Sequence, residues 1–387
     1  MKKQMVFTGL CVVLLLTGCG GGGTDDPMNP GGTGMSKAAL GAMLYKDTNL
    51  SEPAGQSCET CHSLLPGDGF ADPDSTNTSP VSEGAISGEF GDRNAPTAAY
   101  AMFSPDFHYD TTTDPANPRY IGGQFLDGRE ADLEGQAKGP FLNPKEMANT
   151  KQGVVDAVKA ASYATGFKAV YGANSLDDVD TAYDFIADAI ATFERTALFA
   201  AFSSKFDYCP DRSCFTAAEN RGFDLFQIDG KGKCAECHKL EKIGGSSGVL
   251  FTDFSYWNIG VPKNPNHPLG TAFVDIGLAA NPNLVASAPA PGERGKFKVP
   301  TLRNVELTAP YMHNGSLATL EQVVNFYNER DPKNCYGSAV PFVDCWPDPE
   351  VTDNLDVTFS GDLTLSASEE ADLVAFMKTL TDGYFTP

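Results

Sequence analysis

Cys58, Cys61 and His62 stand in the order Cys-x-x-Cys-His, and Cys234, Cys237 and His238 repeat it. In that order two thiols can add across porphyrin vinyl groups as thioethers. The adjacent imidazole can then become the proximal ligand of the iron. Each pentapeptide is the attachment signature of a c-type haem, and two in one chain predict two covalently bound haem c groups. Paired Cys-x-x-Cys motifs also hold Zn²⁺ in ribbons. A His directly after both pairs, together with an export signal, favours haem.

The elements that must position these groups are helical. Ala38 to Tyr45 sets Leu40, Met43 and Leu44 on one face. A polar stretch from Pro66 to about Asp92, rich in Gly, Ser, Asp and Pro, is expected to be a loop wrapping a haem edge. Arg129 to Lys138 reads as a helix stopped by Gly139-Pro140. Two longer amphipathic helices are expected at about Gly153–Val170 and Thr181–Leu198. Asp207 to Arg212, with Pro210, reads as a domain junction. Thr216, with Glu219 three residues on, is a plausible cap for a helix leading into the second haem motif. Ile243 to Pro300 is irregular. Leu320 to Tyr327 is helical with Leu320, Val323, Val324 and Tyr327 on one face, and Ser366 caps a final helix to Leu380.

The fold class is therefore mainly α: two cytochrome c-like haem domains with long irregular loops and little strand. Residues 1–18 read as a signal peptide, with Lys2 and Lys3 before an apolar run too short to span a bilayer. Leu16-Thr17-Gly18-Cys19 resembles a lipoprotein box, so Cys19 is the expected lipid anchor and the only tie to a membrane. Residues 19–35 form a flexible tether, 36–206 an N-terminal haem domain, and 207–387 a C-terminal haem domain. The expected location is the periplasm. Of ten cysteines, those not in the signal, the anchor or the haem motifs are Cys209, Cys214, Cys335 and Cys345. They fall into two local pairs, each able to close a short loop in an oxidising compartment, although spacing alone does not decide the pairing. A formal net charge of −22 argues against nucleic-acid binding and favours a basic redox partner.

Gln124-Phe125-Leu126-Asp127-Gly128-Arg129, Gln136-Ala137-Lys138-Gly139-Pro140 and Asn143-Pro144-Lys145-Glu146-Met147 make a dense polar set after the first haem motif. Arg93-Asn94-Ala95-Pro96-Thr97, Val299-Pro300-Thr301-Leu302-Arg303-Asn304-Val305 and Thr308-Ala309-Pro310-Tyr311-Met312-His313-Asn314-Gly315 are three further motifs of the chain. From about Leu40 to its C-terminus the chain closely resembles the bacterial dihaem cytochrome c peroxidase and MauG family. The resemblance implies an oxidoreductase that reduces hydrogen peroxide with electrons from a small periplasmic cytochrome c or cupredoxin. A second reading is MauG-like, peroxide-dependent oxidation of residues on a partner protein. A third is a non-enzymatic electron carrier, and a homodimer is among the states open to such a chain.

By its match to the family, Glu146 is the expected acid–base that moves a proton between the peroxide oxygens. Burial would raise its pKa toward neutrality. Gln136 is its expected hydrogen-bonding neighbour, and Pro140 shapes the same pocket. Many relatives hold a distal His over the first haem, but Ser82 to Asp92 contains none. His108, the nearest spare, lies beyond the Arg93–Thr97 motif and is expected to pack or face solvent. An open first haem at His62 is therefore expected.

For the second haem at His238, the family pattern puts the far axial ligand at Tyr327, with Met312 as the competing choice. A thioether would raise the reduction potential, whereas a phenolate would favour oxidised states. Asn94, Thr308 and Pro310 match positions that bind Ca²⁺ in the family, and amide and carbonyl oxygens suit that cation. Arg303 and His313 are expected to support the interface or a haem propionate. One departure stands out: relatives carry a Trp between the haems where this chain has Leu126, leaving Phe125 or Trp257 as the nearest aromatic alternatives.

Overall fold

A computed structural model describes residues 34–65, 67–227, 229–335 and 345–384. The signal sequence, Cys19 and nearly all of the tether lie outside the described residues.

Five helices enclose the first hydrophobic core. They are α1 (Lys37–Lys46), α3 (Leu133–Leu142), α4 (Lys151–Ala160), α5 (Ala164–Tyr171) and α6 (Val179–Glu194). The single turn α2 (Cys58–Cys61) carries the first haem motif beside them. Their starts are set by short polar side chains that accept otherwise unpaired backbone N–H groups: Ser36 for α1, Asp132 for α3, Thr150 for α4 and Asp178 for α6. Leu40, Leu44, Phe141, Val154, Phe167, Ile186 and Phe193 fill the space between them.

A second core is built by α8 (Ala217–Phe226), α9 (Leu320–Glu329) and α10 (Ala367–Lys378), with the short α7 (Lys205–Tyr208) alongside. Phe215, Phe226, Phe251, Leu320, Val324, Leu373 and Phe376 are among its buried residues.

The same device brings the key helices together in both halves. A Cβ on Gly41 would stand 2.0 Å from the Ala189 carbonyl oxygen, and one on Gly222 would stand 1.9 Å from that of Asp372. Only glycine allows α1 to cross α6, and α8 to cross α10, at that separation. In each half the glycine-bearing helix precedes the Cys-x-x-Cys-His motif, so this crossing fixes where the motif emerges.

Strand is scarce. The pair β1 (His108–Asp110) and β2 (Arg119–Ile121) is antiparallel with Tyr109 opposite Tyr120. The pair β3 (Tyr256–Trp257) and β4 (Phe297–Lys298) is antiparallel with Trp257 opposite Phe297. Among the described residues no helix is long and apolar enough to cross a membrane.

Several expected boundaries shift. The helix expected to stop before Gly139-Pro140 instead runs through Pro140 to Leu142. Proline in the last turn forfeits little of the ladder, and the extra turn buries Phe141 in the core. The expected Gly153–Val170 helix is two helices, because Ala161 is extended and α5 restarts after Tyr163, whose hydroxyl bonds Asp47. In the Asp207 to Arg212 stretch, Asp207 is in α7 and pairs with the fully buried Arg303. Cys209–Cys214 and Cys335–Cys345 are disulfide-bonded, while the four haem-motif cysteines are free.

Candidate haem centres

At the first motif, α2 is one helical turn. The His62 N–H closes it on the Cys58 carbonyl at 2.9 Å. The Tyr45 hydroxyl from α1 donates to the His62 carbonyl at 3.2 Å, tying the motif to the core. Burial lowers the imidazole pKa, keeping the ring in the neutral form that binds metal. Its Nδ1 is buried without a properly oriented hydrogen-bond partner, although the backbone of Phe70 and Pro96 lies close enough to act on the ring. Burial also pushes the Cys61 thiol up to about 12.

Glu146 lies in the turn that leaves α3, where Asn143 caps the helix. Its carboxyl is half-buried on the side of α3 against which the Ser82–Asp92 loop folds. Burial raises the Glu146 pKa, and the Asn143 hydrogen bond and the more distant Arg129 only partly oppose it. Asn143 Nδ2 donates to Glu146 Oε1 at 2.8 Å. Gln136, expected as that partner, makes no hydrogen bond to the carboxylate. Asn143 reaches it because it lies three residues away in the same turn, whereas Gln136 is held within α3. Pro140 lies in α3 close to this turn, and its carbonyl accepts from the Met147 N–H at 3.1 Å.

The loop from Ser82 to Asp92 folds onto the same turn. The Ala85 N–H donates to the Glu146 carbonyl at 2.7 Å, and Asp92 pairs with Lys145. His108 is exposed on β1, its Nδ1 bonded to the Asp106 carbonyl at 2.7 Å. It therefore plays no part at the first centre.

At the second motif, His238 Nδ1 lies 2.8 Å from the Phe251 carbonyl. A proton on Nδ1 directed there leaves Nε2 free for iron. Cys234, Cys237 and His238 line a cavity of about 330 Å³ together with Val324, Tyr327, Leu373 and Met377. Two thiols, an imidazole with one free nitrogen and an apolar enclosure fit a thioether-linked haem.

Tyr327 and Met312 both line this cavity. Burial, then the nearby Cys237 and Cys234, raise the Tyr327 phenol pKa, and no hydrogen bond engages its hydroxyl. The tyrosine is delivered there by α9, whose first turn Thr319 caps.

The cavity continues to the seam between the two halves, where Asn94, Thr308, Pro310, Phe125, Leu126 and Trp257 line it. The three residues expected to hold Ca²⁺ all line the cavity, Asn94 Nδ2 donating to the Pro80 carbonyl at 2.8 Å. Among the described residues no group of three or more His, Cys, Asp or Glu side chains is arranged to hold a metal. A cation there would rest on amide and carbonyl oxygens.

Leu126 and Trp257 both line the cavity, and Trp257 packs edge-on against Phe359. Arg303, expected at the interface or a propionate, is spent internally on Asp207, Ser204 and the Val249 carbonyl. His313 stacks on Phe297 at 3.8 Å and bonds Glu350 at 3.1 Å. Lys298 and Glu350 carry no signal in the sequence, and Asn143 stands there in a motif without a role of its own. Only Asn143 carried a local signal, the Asn-Pro step after a helix.

Residues 35–212 match the family described as di-haem cytochrome c peroxidase. The chain is 39% identical to methylamine utilization protein MauG of Paracoccus denitrificans, covering 94% of this chain and 93% of that protein. It is 35% identical to cytochrome c551 peroxidase of Nitrosomonas europaea, covering 74% of this chain and 71% of that one. Among solved structures, the diheme peroxidase BthA from Burkholderia thailandensis superposes with a TM-score of 0.75 at 29% identity. That match covers 90% of this chain and 86% of BthA.

Proposed function

Because the chain belongs to the di-haem cytochrome c peroxidase family of oxidoreductases, we propose that it reduces hydrogen peroxide at the His62 centre, with electrons entering through the His238 centre. The observation that carries this reading is Glu146: a carboxyl oriented by Asn143 at 2.8 Å and raised in pKa by burial, in a turn that a loop without His folds onto through the Ala85 N–H.

A haem held by Cys58, Cys61 and His62 would supply the redox chemistry and the site at which peroxide is reduced. Glu146 takes the proton from the inner oxygen and returns it to the outer one, so that oxygen leaves as water. Asn143 holds the carboxylate in the geometry for both transfers. With two electrons and two further protons, one peroxide yields two waters. Gln136 and Pro140 shape the pocket from α3.

The finer assignments belong to the same reading. Residues 36–206 form the peroxidatic domain and 207–387 the electron-transfer domain. Tyr327 would be the far ligand of a haem held by His238, and Asn94, Thr308 and Pro310 would bind a Ca²⁺ at the seam. The protein works in the periplasm, anchored through a lipidated Cys19, and a small cytochrome c or cupredoxin is its donor. A homodimer is compatible with this arrangement.

MauG-like oxidation of a partner protein is the second reading. It is favoured by Tyr327, whose unbonded hydroxyl lies in the cavity with Cys234 and Cys237. Stopped-flow mixing of the fully oxidised protein with peroxide separates the two. Turnover only after one-electron reduction supports the peroxidase. A long-lived oxidised product without prior reduction supports the second reading, and inertness in both states overturns both.

A further inference from the structure

Lys298, half-buried, is one of two lysines that line the cavity wall. Its backbone N–H donates to the Leu126 carbonyl at 2.9 Å, and its Nζ donates to the Gly123 carbonyl. It therefore reaches from β4 to the loop that crosses between the two halves. Among the described residues no carboxylate stands within ion-pair distance of it. The surface it retains lies along the cavity, where Lys233, the other lysine of the lining, is exposed.

Every acidic group on hand is already committed. Asp127 is held by Arg93 at 2.7 Å and Arg129 at 2.9 Å. Asp275 is held by Arg93, and Glu350 by His313. Asp356 accepts from the Thr358 and Phe359 N–H groups and from Ser360. An enclosed ammonium with one carbonyl partner is costly unless an anion meets it. Burial pushes its pKa down to about 7, and only distant Asp127 opposes this.

The haem that fits between Cys234, Cys237, His238 and Tyr327 would bring carboxylates into this otherwise apolar space. We propose that Lys298 is the counter-ion of a propionate of the haem attached at Cys234 and Cys237. This rests on the two-haem reading above. It makes Lys298 a positioning residue: one side chain ties the haem edge to the Gly123–Leu126 loop lying toward the first centre. A cation beside the haem favours the reduced, less positive iron centre, so its charge also raises the reduction potential of that haem.

The test uses the full-length holoprotein as wild type, Lys298→Met, Lys298→Gln and Lys298→Arg. Haem content is counted first as the pyridine haemochrome. A wild type without covalent haem defeats the two-haem reading itself, independently of Lys298. With haem present, spectroelectrochemical titration should show a lower potential for the second haem in the Met and Gln variants, with the Arg variant close to wild type. Redox-difference infrared spectra should show the propionate carboxyl bands displaced in the same two variants. Unchanged potentials and unchanged carboxyl bands in both neutral variants overturn the assignment. So does a wild-type haem spectrum that responds to added acetate through Lys298, which would mark a free-anion site. If the Met variant fails to incorporate haem, the Gln and Arg pair carries the comparison.

Discussion

Asn143 and Glu146 are joined by a hydrogen bond of 2.8 Å across the turn that leaves α3, so a single helix end supplies both the carboxyl and its orienting amide. Burial raises the Glu146 pKa and the Asn143 bond restrains that rise. The ionised carboxylate is the form that accepts the first peroxide proton. Reaction with peroxide should therefore increase as pH rises through the Glu146 pKa. Asn143→Ala removes a lowering influence and should move this limb to higher pH. Glu146→Gln should slow the reaction by about a hundred- to ten-thousand-fold above that pKa and abolish the limb. Stopped-flow rate constants across the pH range check both, and an unmoved limb in Asn143→Ala would remove Asn143 from the mechanism.

Tyr327 and Met312 face one cavity, so substitution separates them. Tyr327→Phe should abolish the tyrosine ligand signature in the optical and electron paramagnetic resonance spectra of the second haem and leave the first unchanged. It should also raise the second haem's potential, because a phenolate favours the oxidised iron. If the spectrum is unchanged and Met312→Leu alters it, the ligand is Met312.

Glu194 ends α6 beside Tyr45 and Cys58, with Oε2 buried and unpartnered. Burial raises its pKa from 4.5 to about 8, against which Arg195 acts only weakly. With the folded pKa above the unfolded one, its contribution to stability is fully present below about pH 4.5. That contribution fades as pH rises toward about 8. At about 1.4 kcal/mol per pKa unit, the loss amounts to several kcal/mol. Glu194→Gln should flatten the decline of melting temperature over that window. A decline as steep as in the wild type would assign the titration elsewhere.

Arg303 is fully buried and holds Asp207 with two hydrogen bonds, and adds Ser204 and the Val249 carbonyl. Burial disfavours the Asp207 carboxylate, but Arg303 and Ser204 outweigh it and hold its pKa below the ordinary range. Arg303→Met strands that carboxylate and should cost about 3–5 kcal/mol at neutral pH. Arg303→Met combined with Asp207→Asn should recover part of the loss. Denaturant unfolding measures both, and a full-size loss in the double variant would show that the guanidinium acts through packing rather than charge.

How much was legible follows from how local each feature is. The haem motifs are contained within five residues, so their spacing alone states their chemistry. The apolar face of α9 placed Tyr327 inward by periodicity, and the structure lines the cavity with it. The helix through Pro140 was misjudged because local propensity counts the lost hydrogen bond and not the burial of Phe141. The amide partner of Glu146 was misplaced for a related reason: Gln136 and Asn143 both lie near in sequence, and only the helix end decides which reaches the carboxylate.

The paired Cys-x-x-Cys-His motifs, the His-free loop from Ser82 to Asp92 and the acidic charge were determined by sequence alone, since each is a matter of residue type and spacing. Tertiary structure decided which charges are left to act. Arg303 lies far along the chain from Asp207, and Lys298 from Gly123, and no periodicity links either pair. Packing brought the first pair together and so removed Arg303 from any role at the haems. The same packing consumed the carboxylates around the cavity and left Lys298 facing it. Burial made those two outcomes differ, because an enclosed charge must find its partner through the fold.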